Sequence, residues 1–137
     1  RRLKYMDEEL EKIRKRKLKE LQELMNKSPL PNTPIDLTDQ DLDQAISKYP
    51  KLVIDCWAVW CGPCRIVGPT IEALATEKAG EIVFGKLDID QNGKSAVKYA
   101  ISAVPTMLVF KDGQLAGRII GALPKSQIEA KLNEIFK

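Results

Sequence analysis

The chain of 137 residues contains no histidine, only three cysteines and few aromatic side chains, 6% of the total. Without histidine there is no Cys–His nucleophile pair and no His-ligated zinc. Three cysteines cannot supply four thiolate ligands from one chain, so a thiolate metal centre would have to be shared between chains. No apolar run is long enough to cross a bilayer. The charged N-terminal stretch, Arg1-Arg2-Leu3-Lys4, has no apolar signal core. The expected setting is therefore a reducing cytoplasm, where structural disulfides are rare. The hydrophobic content of 44% is ordinary for a globular domain.

Two of the three cysteines stand in Trp60-Cys61-Gly62-Pro63-Cys64-Arg65. In a cytosolic chain, two thiols at this spacing near a βαβ pattern read as redox-active or metal-binding. Such a pair closes and reopens a small disulfide, carrying two electrons and two protons with no bound cofactor. Upstream, Lys51–Trp57 is a mostly apolar, β-branched run that predicts a buried strand; downstream, Ile66, Val67, Ile71 and Leu74 carry helical spacing. Cys61 thus falls where a strand hands over to a helix, with Pro63 in the first turn, where its missing N–H costs nothing. Unpaired N–H groups and the positive end of the helix dipole favour a thiolate there, with a pKa of about 7. Position also predicts a division of labour: Cys61 exposed and attacking, Cys64 one turn in, more buried, resolving.

Charge divides the chain. Residues 1–27 hold ten Lys/Arg against six Asp/Glu, whereas residues 28–137 hold twelve against thirteen. The first segment reads as a helix, with Leu3, Met6, Leu10, Ile13, Leu18, Leu21, Leu24 and Met25 on one broad face. Arg14 and Lys17 interrupt that stripe, so it is not a clean coiled-coil seam. The segment is a candidate for dimerisation or partner docking; its interspersed acids argue against nucleic acid, and no membrane contact is expected. Residues 28–34, with three prolines, end the helix and predict a semi-extended linker. Residues 35–137 form the predicted main domain, in the order βαβαβαββα. That order implies an α/β fold with a mixed sheet and helices on both faces. The expected elements are strands at 35–37, 51–57, 81–88, 106–111 and 114–120, with helices from Thr38 to Tyr49, Cys61 to Lys78 and Lys94 to Tyr99, and a last one opened by Pro124.

Asp55 is a charged residue inside an apolar strand, where an unpaired charge is costly. It reads either as a solvated strand-end carboxylate or as a buried one with a raised pKa, poised to move a proton. Trp60 is either a binding-surface aromatic or core filler. Cys56 alternates with Asp55 and is expected to point into core on the opposite face as a small hydrophobe.

The stretch Asp55-Cys56-Trp57-Ala58-Val59-Trp60-Cys61-Gly62-Pro63-Cys64-Arg65 resembles the active site of the thioredoxin family. Pro69 matches that family's kinking proline, Lys86–Asn92 its third strand, Val104-Pro105-Thr106 its cis-proline loop, and Gly113 and Gly121-Ala122 two further glycine sites; the resemblance spans about residues 34–136. It implies a five-stranded sheet flanked by four helices and a protein-disulfide reductase recharged by a thioredoxin reductase, with protein disulfides as substrates. It also implies that Asp55 lies behind Cys64 and helps to deprotonate it, with Lys86 nearby. Gly62-Pro63 looks like the reducing type, for which a potential on the order of −270 mV is expected. The resemblance further implies that Val104 and Pro105 offer backbone to an extended peptide, framed by Trp57, Gly121 and Ala122. Two other readings stay open from the residues alone: a thiol oxidant or isomerase, and a recruitment module built around the N-terminal helix.

Overall fold

The structure is a computed structural model that describes residues 2–26 and 30–137. Helix α1 spans Arg2–Asn26, and every side chain from Met6 to Glu20 is exposed, including Leu10, Ile13 and Leu18. The start of the predicted linker, Ser28-Pro29, lies outside the described residues. Its later part is not free of the domain, because Leu30 packs against the core. An apolar side chain between two prolines has more to gain from burial than from extension into water.

The remaining elements are β1 (Ile35–Leu37), α2 (Leu42–Lys48), β2 (Lys51–Trp57), α3 (Gly62–Glu77), β3 (Val83–Asp88), α4 (Gly93–Lys98), β4 (Thr106–Lys111), β5 (Gln114–Ile120) and α5 (Lys125–Ile135). The strands form one sheet in the order β1-β3-β2-β4-β5. β3 runs parallel to both β1 and β2, whereas β4 is antiparallel to both β2 and β5. β2 is buried from Leu52 to Cys56, as a central strand covered on both faces must be. Alternation sends Leu52, Ile54 and Cys56 into a cluster under α2, and Val53 into a second cluster under α3 and α5. The β4–β5 hairpin turns at Asp112 (φ 50°) and Gly113 (φ 82°), two consecutive left-handed residues that match the twist of the flanking strands.

Several boundaries differ from the sequence reading by one or more residues. α2 begins at Leu42 rather than near Thr38: a turn at 39–41 precedes it, in which the Asp41 carboxylate accepts from the Thr38 N–H at 2.6 Å, the return half of a capping box, and the Thr38 carbonyl accepts from the Leu42 N–H at 3.0 Å. β3 begins at Val83, since the N–H groups of Glu81 and Ile82 both donate to the Lys78 carbonyl and finish the end of α3 first. α4 opens at Gly93 and ends at Lys98. Pro124 precedes α5 in extended conformation (ψ 151°) and its carbonyl accepts from the Ile128 N–H at 3.1 Å.

Candidate active site

β2 delivers the chain to the site and α3 carries it away. After Trp57 the backbone turns, with the Cys61 N–H donating to the Ala58 carbonyl at 3.1 Å. Cys61 is the N-cap of α3: its backbone is extended (φ −87°, ψ 107°) and its Sγ accepts from the Cys64 N–H at 3.2 Å. A sulfur therefore occupies the place where a serine or aspartate oxygen usually satisfies the free amides of a first turn. Pro63 lies within that turn and costs no hydrogen bond. Cys61 and Cys64 are joined as a disulfide, their Cα atoms 5.3 Å apart. Among the described residues no group of three or more Cys, Asp or Glu side chains is placed to hold a metal ion.

The expected contrast in exposure between the two cysteines is not found. Cys61 is 4% exposed and Cys64 6%. Both cysteines pack at the helix mouth with Ala58, Trp57, Ile89 and Val104. Gly62 and Pro63 are exposed at the tip. Trp60 is a surface aromatic, 69% exposed, and its indole N–H donates to Asp90 Oδ2 at 2.8 Å.

On the far side of the disulfide the Val104–Pro105 bond is cis. The Pro105 carbonyl accepts from the Gly121 N–H at 2.9 Å, which joins the Val104-Pro105 loop to Gly121 and Ala122. Gly121 has φ 96°, a conformation that favours glycine. Trp57, Val104, Pro105, Gly121 and Ala122 thus lie on three segments brought to one end of the sheet.

Beneath the site, Asp55 is 2% exposed, and its Oδ1 has no hydrogen-bond partner. The solvated strand-end reading is excluded. Burial pushes its pKa up to about 6, and the Lys86 charge pulls the other way. Asp55 and Lys86 are direct partners in the β2–β3 register. A cavity of about 350 Å³ connects Asp55, Cys64 and Lys86 and continues to Trp57, Val59, Gly68 and Glu72. A carboxyl and a thiol facing one cavity suit proton exchange through an intervening water.

Sequence reasoning missed three participants. Gly68 and Glu72 follow Cys64 at intervals of four along α3, so helical spacing alone could have placed them on its face. Asp90, the partner of Trp60, gave no comparable signal, because thirty residues separate the two.

The thioredoxin family profile matches residues 33–134. The chain belongs to the thioredoxin family. It is 42% identical over 100 residues to Thioredoxin 2 of Chlorobaculum tepidum, covering 72% of this chain and 92% of that protein. It is 39% identical over 100 residues to a thioredoxin of Staphylococcus aureus, covering 73% and 95% respectively. Among solved structures it is similar to a mutant thioredoxin from Halobacterium salinarum NRC-1, with a TM-score of 0.74 and 26% identity over 80% of this chain and 96% of that one. The fold is thus the thioredoxin fold with an added N-terminal helix, and the activity is that of a thiol–disulfide oxidoreductase using the Cys61–Cys64 pair. No helix among the described residues is long and apolar enough to cross a membrane.

Proposed function

We propose that reduced Cys61 is the attacking thiolate, Cys64 the resolving thiol and Asp55 the group that moves its proton. The Cys61 thiolate attacks one sulfur of a protein disulfide, forming a mixed disulfide and releasing the other sulfur as a thiolate. Asp55 then takes the Cys64 proton, through water in the shared cavity. The Cys64 thiolate attacks Cys61 Sγ, closing the Cys61–Cys64 disulfide and expelling the second substrate thiolate. Two electrons pass to the substrate, and a thioredoxin reductase restores the dithiol. Val104 and Pro105 would pair with the substrate backbone as a short added strand, between Trp57, Trp60 and the Gly121-Ala122 turn.

The single observation that carries this reading is buried Asp55, its Oδ1 without a hydrogen-bond partner, opening onto the same cavity as Cys64. Stopped-flow measurement with Asp55→Asn tests it. The resolving step at pH 7 is expected to slow by on the order of tenfold to a hundredfold, with the first attack unchanged. An unchanged resolving step removes Asp55 from the mechanism.

The proposed site of action is the cytoplasm. The exposed apolar residues of α1, with Leu30 anchored on the domain, support a docking or dimerisation role for the helix. Removal of residues 1–29 leaves Leu30 in place. It is expected to keep insulin-disulfide turnover within about twofold while abolishing partner capture or self-association by sedimentation. Lost turnover would instead place α1 in the chemistry.

A further inference from the structure

Lys86 has a choice of carboxylates. In the β1–β3 register its partner is Asp36, and in the β2–β3 register its partner is Asp55. Partners in a parallel register point to the same face, so Asp36, Lys86 and Asp55 stand abreast on the side covered by α3. From α3, Glu72 Oε1 reaches the Lys86 ammonium at 4.0 Å. That ammonium lies over Gly68, where a Cβ would stand 4.0 Å from Nζ. Its ion-pair partner is thus the exposed Glu72 and not the buried Asp55.

Two hollows meet at this pair. The inner one, about 350 Å³, holds Asp55 and Cys64. The outer one, about 430 Å³, is lined by Asp36, Thr76 and the end of the linker at Thr33-Pro34. Lys86 and Glu72 line both and form the partition between them. We propose that Glu72 and Asp36 are positioning residues for Lys86, holding its ammonium at this partition and away from Asp55, so that Asp55 stays basic enough to take the Cys64 proton and then passes it outward past Lys86. The inference rests on the reading that Asp55 serves Cys64.

Magnitudes favour this role over a stabilising one. An ion pair with a carboxylate as exposed as Glu72 contributes little to folding. The same ammonium moved towards Asp55 would act through a poorly solvated medium, where a charge weighs several times more. The other groups around Asp55 are few. α3 brings Cys64, Arg65 and Glu72 to its cavity, β3 brings Lys86, β4 places the apolar Met107 opposite, and on β2 the neighbouring Cys56 faces away. Of the two cations on this cavity, Arg65 and Lys86, Lys86 is the one paired with Glu72 and set beside Asp36 in the strand register.

The test uses the full reduced chain carrying Asp36→Asn and Glu72→Gln together. The Asp55 carboxyl is followed by carbon NMR across pH, and the pH profile of the resolving step by stopped flow. The Asp55 midpoint is expected to fall by about one pH unit as Lys86 turns inward. Glu72→Asp in the Asp36→Asn background should restore part of it. In a Lys86→Met background the same pair of changes should leave the midpoint in place. An unmoved midpoint in the Lys86 protein overturns the proposal, and so does an equal fall without Lys86, which would reduce the effect to a general field. If the midpoint falls and the resolving step ignores it, the hold on Lys86 stands and the role of Asp55 in serving Cys64 fails.

Discussion

Asp55 and Cys56 are consecutive residues of one strand, both buried, on opposite faces of the sheet. Desolvation dominates at both and moves both in the same direction, the carboxyl up to about 6 and the thiol up to about 12. The consequences diverge. A carboxyl raised to that level exchanges protons near neutral pH, whereas a thiol raised to that level never ionises there. The surroundings match the difference. The Cys56 face is closed by Leu52, Ile54, Leu108 and Phe110 under α2, with Tyr99 set edge-on to Phe110 at 5.5 Å. The Asp55 face is equally apolar at Val53, Phe84 and Val109, but opens into a cavity towards Cys64. One strand thus lays a sealed core on one side and an open, titratable pocket on the other.

The sealed face should respond most to a loss of volume. Ile54→Ala removes a fully buried side chain from it and is expected to cost about 4 kcal/mol, measured by urea unfolding. A cost below about 1 kcal/mol would show that this face yields as readily as the open one.

The open face should respond most to pH. The folded-state pKa of Asp55, about 6, exceeds its ordinary 3.8, so the folded protein holds the proton more tightly than the unfolded chain does. The stability this contributes is complete below about pH 4 and is lost as pH rises through about 6, a fall of about 3 kcal/mol. Asp55→Asn is expected to flatten that part of the stability profile, as followed by denaturant titrations from about pH 4 to about pH 8. A slope that survives the substitution would assign the effect to another group. The smallest effect belongs to Cys56→Ala: about 1 kcal/mol of lost packing by thermal unfolding, with disulfide-reducing turnover unchanged.

Much of this was legible in advance where the signal was local. β1, β2, β4 and β5 fall on their predicted residues, because alternation, β-branching and the Asp112-Gly113 turn are properties of neighbours. The charge of Asp55 inside an apolar run marked it before its burial was known. Signals carried across the chain were not legible. Asp39 accepts from the Ser95 N–H at 2.8 Å and gives its own N–H to Asn92 Oδ1 at 2.9 Å, fixing the start of α4 from more than fifty residues away. The Ser95 hydrogen bond holds the Asp39 carboxyl below the usual carboxylate range. The docking of Leu30 on the core and the loss of contrast between Cys61 and Cys64 depend likewise on what folds over them, which no pattern of adjacent residues records.

The silence of Cys56 has a practical sequel. Reduction of the native protein frees the Cys61–Cys64 pair, while full denaturation exposes Cys56 as well. This third sulfur therefore counts departures from the folded state: alkylating reagent reaches it only when the interior parts. The pace of that labelling would time the breathing of the molecule with no foreign probe attached.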